Sequence, residues 1–186
     1  MTSTSTGPLC ASTCAIIASI GGLVGTPHLA PYSAGKFGLV GLSQAYATEV
    51  AHDGITVTCV CPGLMRTGSP DHAIFKGRTK AEYAWFAIGD SNPLLSASTR
   101  HAVVTVVHAI AKRKPFVTIT PLARVAQIAN ALAPATTTRL LGAVARMLPP
   151  PVEDEAIRRE GTESHSPLAP SVLTTLDRMA KRRNNE

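Results

Sequence analysis

Aromatic and charged residues are both scarce in this chain of 186 residues: aromatics make up 4% and charged residues 16%. Proteins that bind single-stranded nucleic acids stack bases on aromatic side chains set among basic residues. The low aromatic content therefore argues against nucleic-acid binding, although the net charge is +6. Apolar runs are also short, and none reaches the roughly 18 uninterrupted residues that cross a bilayer. We expect no transmembrane segment and a cytoplasmic location.

Cysteine is rare as well, with residues only at positions 10, 14, 59 and 61. Cys59 and Cys61 alternate along an apparent strand and so share one of its faces. No histidine or cysteine stands at zinc-finger spacing from them. We interpret the cysteines as buried free thiols of a reducing compartment and expect no metal. A zinc site built from all four cysteines is the alternative.

The apolar content of 45% and the length are sufficient for one domain with a core. A short apolar run over residues 14–18 predicts a buried strand, and Pro31 predicts the start of a helix over residues 32–50. The β-branched residues 55–60 predict a second strand. Strand, helix and strand in this order form the crossover unit of a parallel sheet, so the fold class is α/β. Downstream, the patterns predict a partly helical excursion over 67–92, helices over 98–112, 122–132 and 137–147, and a strand over 116–120.

The most informative pair of residues is Tyr32 and Lys36. Lys36 is the only charged residue between Met1 and Thr48, and an unpaired ammonium in an apolar region is costly unless it is bonded or used. Residues four apart share a helix face, so we expect the ammonium to lie beside the phenol. That neighbour favours the phenolate, which suits Tyr32 to pass a proton to or from a substrate oxygen.

Three further features converge on the same edge of the predicted sheet. Ser19 stands at the carboxyl end of the first strand, and Pro62-Gly63 ends the second strand, with Thr67 just beyond. Ligands of open α/β sheets bind at the carboxyl ends of the strands. His28, three residues ahead of Pro31, either reaches this cleft or lies in a surface loop.

This arrangement resembles the short-chain dehydrogenase/reductase family from about residue 15 to residue 120. The resemblance implies that Tyr32 is the acid/base for the substrate oxygen and that Lys36 favours its phenolate and holds the nicotinamide ribose of NAD or NADP. It also implies that Ser19 donates a hydrogen bond to the substrate carbonyl, and that Pro62, Gly63 and Thr67 line the nicotinamide end of the cofactor. The segments that carry it are Ile17-Ala18-Ser19-Ile20-Gly21-Gly22, Pro31-Tyr32-Ser33-Ala34-Gly35-Lys36-Phe37, Asp53-Gly54-Ile55-Thr56-Val57 and Cys61-Pro62-Gly63-Leu64-Met65-Arg66-Thr67.

The chain departs from the family pattern in its first part. The family begins with a strand and a glycine-rich turn that hold the cofactor pyrophosphate at a helix N-terminus, and no Gly-x-x-x-Gly-x-Gly occurs in this sequence. The residue that would choose between NAD and NADP is absent too. We therefore interpret the fold as a partial Rossmann-type, doubly wound parallel sheet with its N-terminal strands missing and with C-terminal helices. The expected organisation is an unstructured 1–13, the C-terminal part of an NAD(P)-binding domain over 14–150, and a weakly ordered basic tail over 151–186.

Two hypotheses of function follow. The first is an oxidoreductase that transfers a hydride between NAD(P)(H) and a carbonyl or alcohol substrate. Apolar residues in and around the excursion predict that this substrate is lipophilic. The second is a catalytically silent fragment, or a subunit that only associates. A homo-oligomer through the helix over 32–50 is expected by resemblance. Arg139 and Arg146 flank apolar residues of an amphipathic helix, which either packs on the core or a partner or touches a membrane surface.

Overall fold

Three parallel strands organise the first two thirds of the chain. A computed structural model describes residues 12–93, 95–150, 158–167, 169 and 174–184. The strands stand in the order β1, β2, β6, and both pairings are parallel, which confirms the predicted α/β class. The elements in chain order are β1 (Thr13–Ile17), α1 (Ala30–Glu49), β2 (Thr56–Cys61), β3 (Leu64–Arg66), α2 (Ser69–His72), β4 (Ile74–Lys76), α3 (Thr79–Ser91), β5 (Ser96–Ser98), α4 (Thr99–Ala111), β6 (Phe116–Thr118), α5 (Pro121–Leu132), α6 (Pro134–Ala145), β7 (Arg158–Glu160) and α7 (Thr175–Asn184).

The central strand β2 is buried on both faces. Cys59 and Cys61 pack with Ala18, Leu23 and Val40 on the side that α1 covers. On the opposite side, Val60 packs with residues of β5, of α4 and of the segment after β6. Full burial of a side chain such as Val60 stabilises the fold by about 1.5–3 kcal/mol. β2 is thus the strand around which the core forms.

Helix α1 begins two residues earlier than predicted. Its first turn contains Pro31, whose fixed φ suits the first helical turn and whose missing N–H costs nothing there. A short 3-10 turn follows the helix, and the chain leaves it at Gly54 in the left-handed conformation with φ of 70°. Glycine adopts this conformation without the steric penalty of a Cβ, and β2 starts two residues later.

Strand β1 is the least covered strand of this sheet. Among the described strands it pairs only with β2, in the register Thr13 with Thr56 to Ile17 with Val60. Its residues alternate between exposed and half-buried, and the side chain of Ile17 is 49% exposed. The prediction that this strand is buried is wrong for the described part of the chain, because nothing described there covers its second edge.

The excursion after β2 is a small unit of short, non-local pairings. β3 pairs with β5 in parallel, and β4 pairs antiparallel with β7. Tyr83 of α3 is buried against Phe75 and Ala87. The sequence predicted only a partly helical segment here; it missed β3, β4 and β5, and it also missed β7 in the tail.

The described residues of the tail contain regular structure where little was expected. β7 pairs with β4, and α7 packs against α3. Asp71 of α2 joins these pieces: the Tyr83 hydroxyl donates to its carboxylate over 2.7 Å, and His165 and Lys181 also contact it. Burial alone raises the pKa of Asp71, but the hydrogen bonds from Lys181, Tyr83 and His165 outweigh it and hold that pKa below the ordinary value.

Helices α4, α5 and α6 lie close to their predicted bounds. Ser98 caps α4 by accepting a hydrogen bond from the His101 N–H, and Thr120 caps α5 in the same way through Ala123. The Asn130 side chain donates to the Leu23 carbonyl over 2.9 Å and anchors α5 to the loop after β1. None of the helices in the described ranges is long and apolar enough to cross a membrane.

Candidate active site

The segments that follow β1 and β2 run side by side at one edge of the sheet. The Ala18 N–H donates to the Val60 carbonyl over 2.8 Å, and the Ile20 N–H donates to the Pro62 carbonyl over 2.6 Å. These bonds continue the parallel pairing past the strand ends. Ser19 and Pro62-Gly63 are therefore neighbours, as their positions at the carboxyl ends of adjacent strands predict.

Ser19 is held in a fixed position at this edge. It is buried, its backbone is extended, and its Oγ accepts a hydrogen bond from the Gly21 N–H over 3.2 Å. A hydroxyl that accepts one bond still has a proton to donate. The Ser19 side chain can thus serve as a donor to an oxygen brought to this edge.

Lys36 links helix α1 to the end of strand β1. Its Nζ donates to the Ile17 carbonyl over 3.3 Å and lies 5.7 Å from the centroid of the Tyr32 ring. That separation is within the roughly 6 Å over which a cation is attracted to an aromatic face. Tyr32 and Lys36 are neighbours, as the four-residue spacing predicts. The Tyr32 side chain is 44% exposed, so a ligand can reach it.

Two glycines allow α1 to approach the loop after β1. A Cβ placed on Gly21 would lie 2.8 Å from Cε1 of Tyr32, and one placed on Gly22 would lie 2.5 Å from the Lys36 carbonyl oxygen. Real Cβ atoms do not come so close to other atoms. Gly21 therefore leaves room for the Tyr32 ring, and Gly22 leaves room for the helix backbone that carries Lys36.

The second strand contributes a half-buried turn. Gly63 lies against Thr120, since a Cβ at Gly63 would collide with the Thr120 hydroxyl. Thr67 stands farther along, after β3, where its hydroxyl contacts the Ser69 side chain and the Met65 carbonyl. Pro62 and Gly63 are thus close to Ser19, whereas Thr67 is tied to the start of α2.

His28 connects the rim of this edge to the excursion. It adopts a positive φ of 62°, which is uncommon outside glycine, and its Nδ1 lies 2.9 Å from Oε1 of Glu82 on α3. His28 is exposed, as the surface-loop alternative predicts, and its bond to Glu82 ties this loop to α3. His28 thereby fixes where the excursion lies relative to the start of α1.

A pair of thiols lies beneath the site. Cys59 and Cys61 are buried, and their Sγ atoms are 3.9 Å apart, so the two residues share a strand face as predicted. The hydrogen bond with Cys59, together with burial, raises the pKa of the Cys61 thiol. The described residues hold no group of three or more His, Cys, Asp or Glu side chains placed to bind a metal, and Cys10 lies outside the described residues.

Sequence patterns missed four parts of this site. They are the Ile17 carbonyl that receives Lys36, the close approach of Gly21 to Tyr32, the contact of Thr120 with Gly63, and the bond from His28 to Glu82. Only the Gly21-Gly22 pair gave a signal, because two adjacent glycines in the loop after a strand suit a close approach of another backbone. The others depend on which segments the tertiary fold brings together.

Residues 12–73 match the family model described as short chain dehydrogenase. This segment contains β1, α1 and β2 together with the candidate site residues Ser19, Tyr32, Lys36, Pro62, Gly63 and Thr67. Glu82 and Thr120, which contact His28 and Gly63, lie outside it.

Curated proteins that match parts of this chain are also named as reductases or dehydrogenases. A Streptomyces coelicolor protein provisionally named as a ketoacyl reductase is 55% identical over 51 residues, 27% of this chain and 20% of the relative. The D-beta-hydroxybutyrate dehydrogenase of Rhizobium meliloti is 41% identical over 71 residues, 36% and 28% of the two chains. The 3-oxoacyl-(acyl-carrier-protein) reductase of Aggregatibacter actinomycetemcomitans is 43% identical over 58 residues, 31% and 24%. The chain thus spans between a fifth and somewhat over a quarter of the length of these relatives.

Proposed function

We propose that this chain, which belongs to the short-chain dehydrogenase/reductase family through residues 12–73, carries the proton-transfer site of an NAD(P)-dependent carbonyl reductase or alcohol dehydrogenase. The relatives described above are named as reductases and a dehydrogenase, and these names share an oxidoreductase activity. The observation that carries the proposal is the position of Lys36, between the Ile17 carbonyl at the end of β1 and the exposed ring of Tyr32.

The residues present fit the nicotinamide-ribose half of such a cofactor. Lys36 presents an ammonium with further N–H donors beyond the one used on Ile17, and ribose hydroxyls are acceptors. Gly63 offers a turn without a side chain and lies with Pro62 beside Ser19, whereas Thr67, tied to Ser69, would have to be reached by the cofactor beyond β3. NAD(P)H would supply the hydride. The sequence contains no Gly-x-x-x-Gly-x-Gly turn for the pyrophosphate.

In this proposal each of the three side chains has a defined role. The Tyr32 hydroxyl gives its proton to the carbonyl oxygen as that oxygen becomes an alkoxide, and takes it back in the direction of oxidation. Ser19 donates a hydrogen bond to the same oxygen and so favours the charge that develops on it. Lys36, fixed by the Ile17 carbonyl, stabilises the phenolate that remains and holds the ribose.

Substrate and assembly are proposals of a lesser reach. We expect a carbonyl or alcohol with an apolar body, because the excursion over residues 64–98 is rich in apolar side chains. We also expect a homo-oligomer through the outer face of α1. Leu42 and Tyr46, four residues apart on the helix, are exposed there, and exposed apolar surface of this kind favours association.

The test is a titration of the whole chain with NADH and NADPH, followed by cofactor fluorescence and by turnover of aliphatic ketones. Loss of a charge-assisted hydrogen bond costs about 1.5–3 kcal/mol, so Lys36→Ala should weaken binding by roughly 10- to 100-fold. Tyr32→Phe should retain binding and lose turnover by roughly 10²- to 10⁴-fold.

Matched controls are Lys112→Ala, just beyond the end of α4, and Tyr46→Phe, an exposed tyrosine on the same helix as Tyr32. Both controls should behave as the wild type. Absence of binding up to millimolar cofactor, or equal losses in the controls, would refute the proposal.

A further inference from the structure

Helices α5 and α6 leave large apolar side chains in solvent. The two helices are joined by Ala133 alone and pack against each other. Leu132 of α5 is 81% exposed and Met147, just after α6, is 72% exposed. The exposed apolar residues of this pair, which we name the α5–α6 face, are Val125, Ile128, Leu132, Leu140, Val144 and Met147.

These residues form one stripe on each helix. In α5 they recur at intervals of three and four residues, and Leu140 and Val144 of α6 are four residues apart, so each helix carries its exposed apolar residues on one side. Met147 lies in the turn that follows α6.

On α5, the side that holds the fold together is different from the stripe, because Ala123 is buried and Asn130 bonds to the Leu23 carbonyl. On α6, Thr137 is buried on the same side as the stripe, one turn before Leu140. The exposed part of the α6 stripe therefore begins at Leu140.

The charged residues of the chain segment that contains α5 and α6 all have one sign. Between Asp90 and Glu153 the sequence contains no Asp or Glu, but it contains seven Lys or Arg residues. Three exposed arginines lie on these helices or directly after them: Arg124 precedes Val125 on α5, Arg139 precedes Leu140 on α6, and Arg146 follows the last residue of α6. Apolar stripes edged by arginine match a surface that is apolar inside and negatively charged outside.

We propose that the α5–α6 face binds the surface of an anionic lipid membrane. The apolar stripes would enter the boundary between headgroups and acyl chains, and Arg124, Arg139 and Arg146 would contact anionic headgroups. A nucleic acid fits less well, because residues 121–150 contain no aromatic side chain on which a base could stack. A second copy of the chain fits less well too, because two such faces would oppose their arginines.

The experiment is flotation of the full chain with vesicles of phosphatidylcholine alone and of phosphatidylcholine with about 30 mol% phosphatidylglycerol. We expect binding to the anionic vesicles that is at least tenfold tighter than to the neutral ones and that weakens between about 0.1 M and about 0.5 M NaCl. Each arginine near an anionic surface contributes roughly a fivefold change, so Arg124→Gln, Arg139→Gln and Arg146→Gln combined should weaken binding on the order of a hundredfold.

The apolar arm compares two double variants with equal added charge. Leu132→Glu with Met147→Glu alters the α5–α6 face, whereas Val104→Glu with Val107→Glu alters exposed valines of α4. The first should abolish flotation, the second should leave it, and circular dichroism should show that both fold. Equal loss in the two variants, equal binding to both vesicle types, or binding to polyuridylate in place of vesicles would overturn the proposal. So would sedimentation showing a dimer that the first variant dissociates while flotation is unchanged.

Discussion

Gly21 and Gly22 provide a sharp test of how helix α1 is seated, because alanine at each should have a different effect. A Cβ at Gly22 would lie 2.5 Å from the Lys36 carbonyl oxygen and 2.9 Å from the carbon of the same group. Backbone of a packed helix cannot move away without loss of its other contacts. Overpacking of this kind costs about 1–3 kcal/mol, which for a domain of this size lowers Tm by about 3–10 °C.

A Cβ at Gly21 meets the far end of a flexible side chain instead. It would lie 2.8 Å from Cε1 of Tyr32, and the half-exposed ring can swing away. Gly21→Ala should therefore change stability by less than about 1 kcal/mol. It should displace the phenol, and if Tyr32 transfers the proton as proposed, a displacement of about 1 Å should lower turnover by as much as roughly 100-fold. Gly22→Ala should therefore mainly change stability, and Gly21→Ala should mainly change activity.

Urea unfolding followed by circular dichroism measures both stabilities. Gly38→Ala is the matched control, because a Cβ there meets open space on α1. Removal of a glycine from a helix interior should raise stability by about 0.5–1 kcal/mol. If Gly21→Ala proves more destabilising than Gly22→Ala, the described contact between α1 and the loop after β1 is wrong.

Three further predictions concern stability. Asp71→Asn should lower the free energy of unfolding by about 1.5–3 kcal/mol near neutral pH. The folded-state pKa of Asp71 lies below the unfolded value of 3.8, so its stabilisation is complete above about pH 5 and is lost as the pH falls through the folded value. The urea midpoints of the variant and the wild type should therefore converge in acid. Thr58→Val should raise the free energy of unfolding by about 1 kcal/mol, since the buried Thr58 hydroxyl has no hydrogen-bond partner among the described residues. Urea unfolding measures this, and a lower stability of the variant would reveal a hidden partner. Ser98→Ala should cost about 1 kcal/mol by removing the cap of α4, whereas Ser98→Asp should restore most of it, and equal loss in both would contradict a capping role.

Local patterns predicted the core elements of the fold well. The β-branched run gave β2 to within one residue at each end, and Pro31 gave the start of α1 to within two. These signals succeed because each depends on the backbone preference of a few adjacent residues. β4 and β7 could not be predicted in this way. Ile74 pairs with Glu160, so each strand of three residues depends on a partner 86 positions away in the sequence.

The same division holds within the candidate site. The neighbourhood of Tyr32 and Lys36 follows from helical spacing alone, and the approach of Ser19 to Pro62 follows from parallel pairing of β1 and β2. The acceptor of Lys36 does not follow from either. It is the Ile17 carbonyl, a backbone group with no sequence signature, which is available because the loop after β1 passes under α1.

The site therefore combines a firm half with a weaker one. Pro62 and Gly63 directly follow β2, a strand that is buried on both faces, and α1 holds Tyr32 against Gly21. Ser19 follows β1, whose Ile17 carbonyl holds Lys36, yet among the described strands β1 has one partner only, and Ile17 is half exposed. Because local opening is easiest where few buried contacts oppose it, the position of Lys36 is only as fixed as β1. A ligand that bonds to Lys36 binds only the state in which β1 is folded, so ligand binding and the ordering of that strand must stabilise each other.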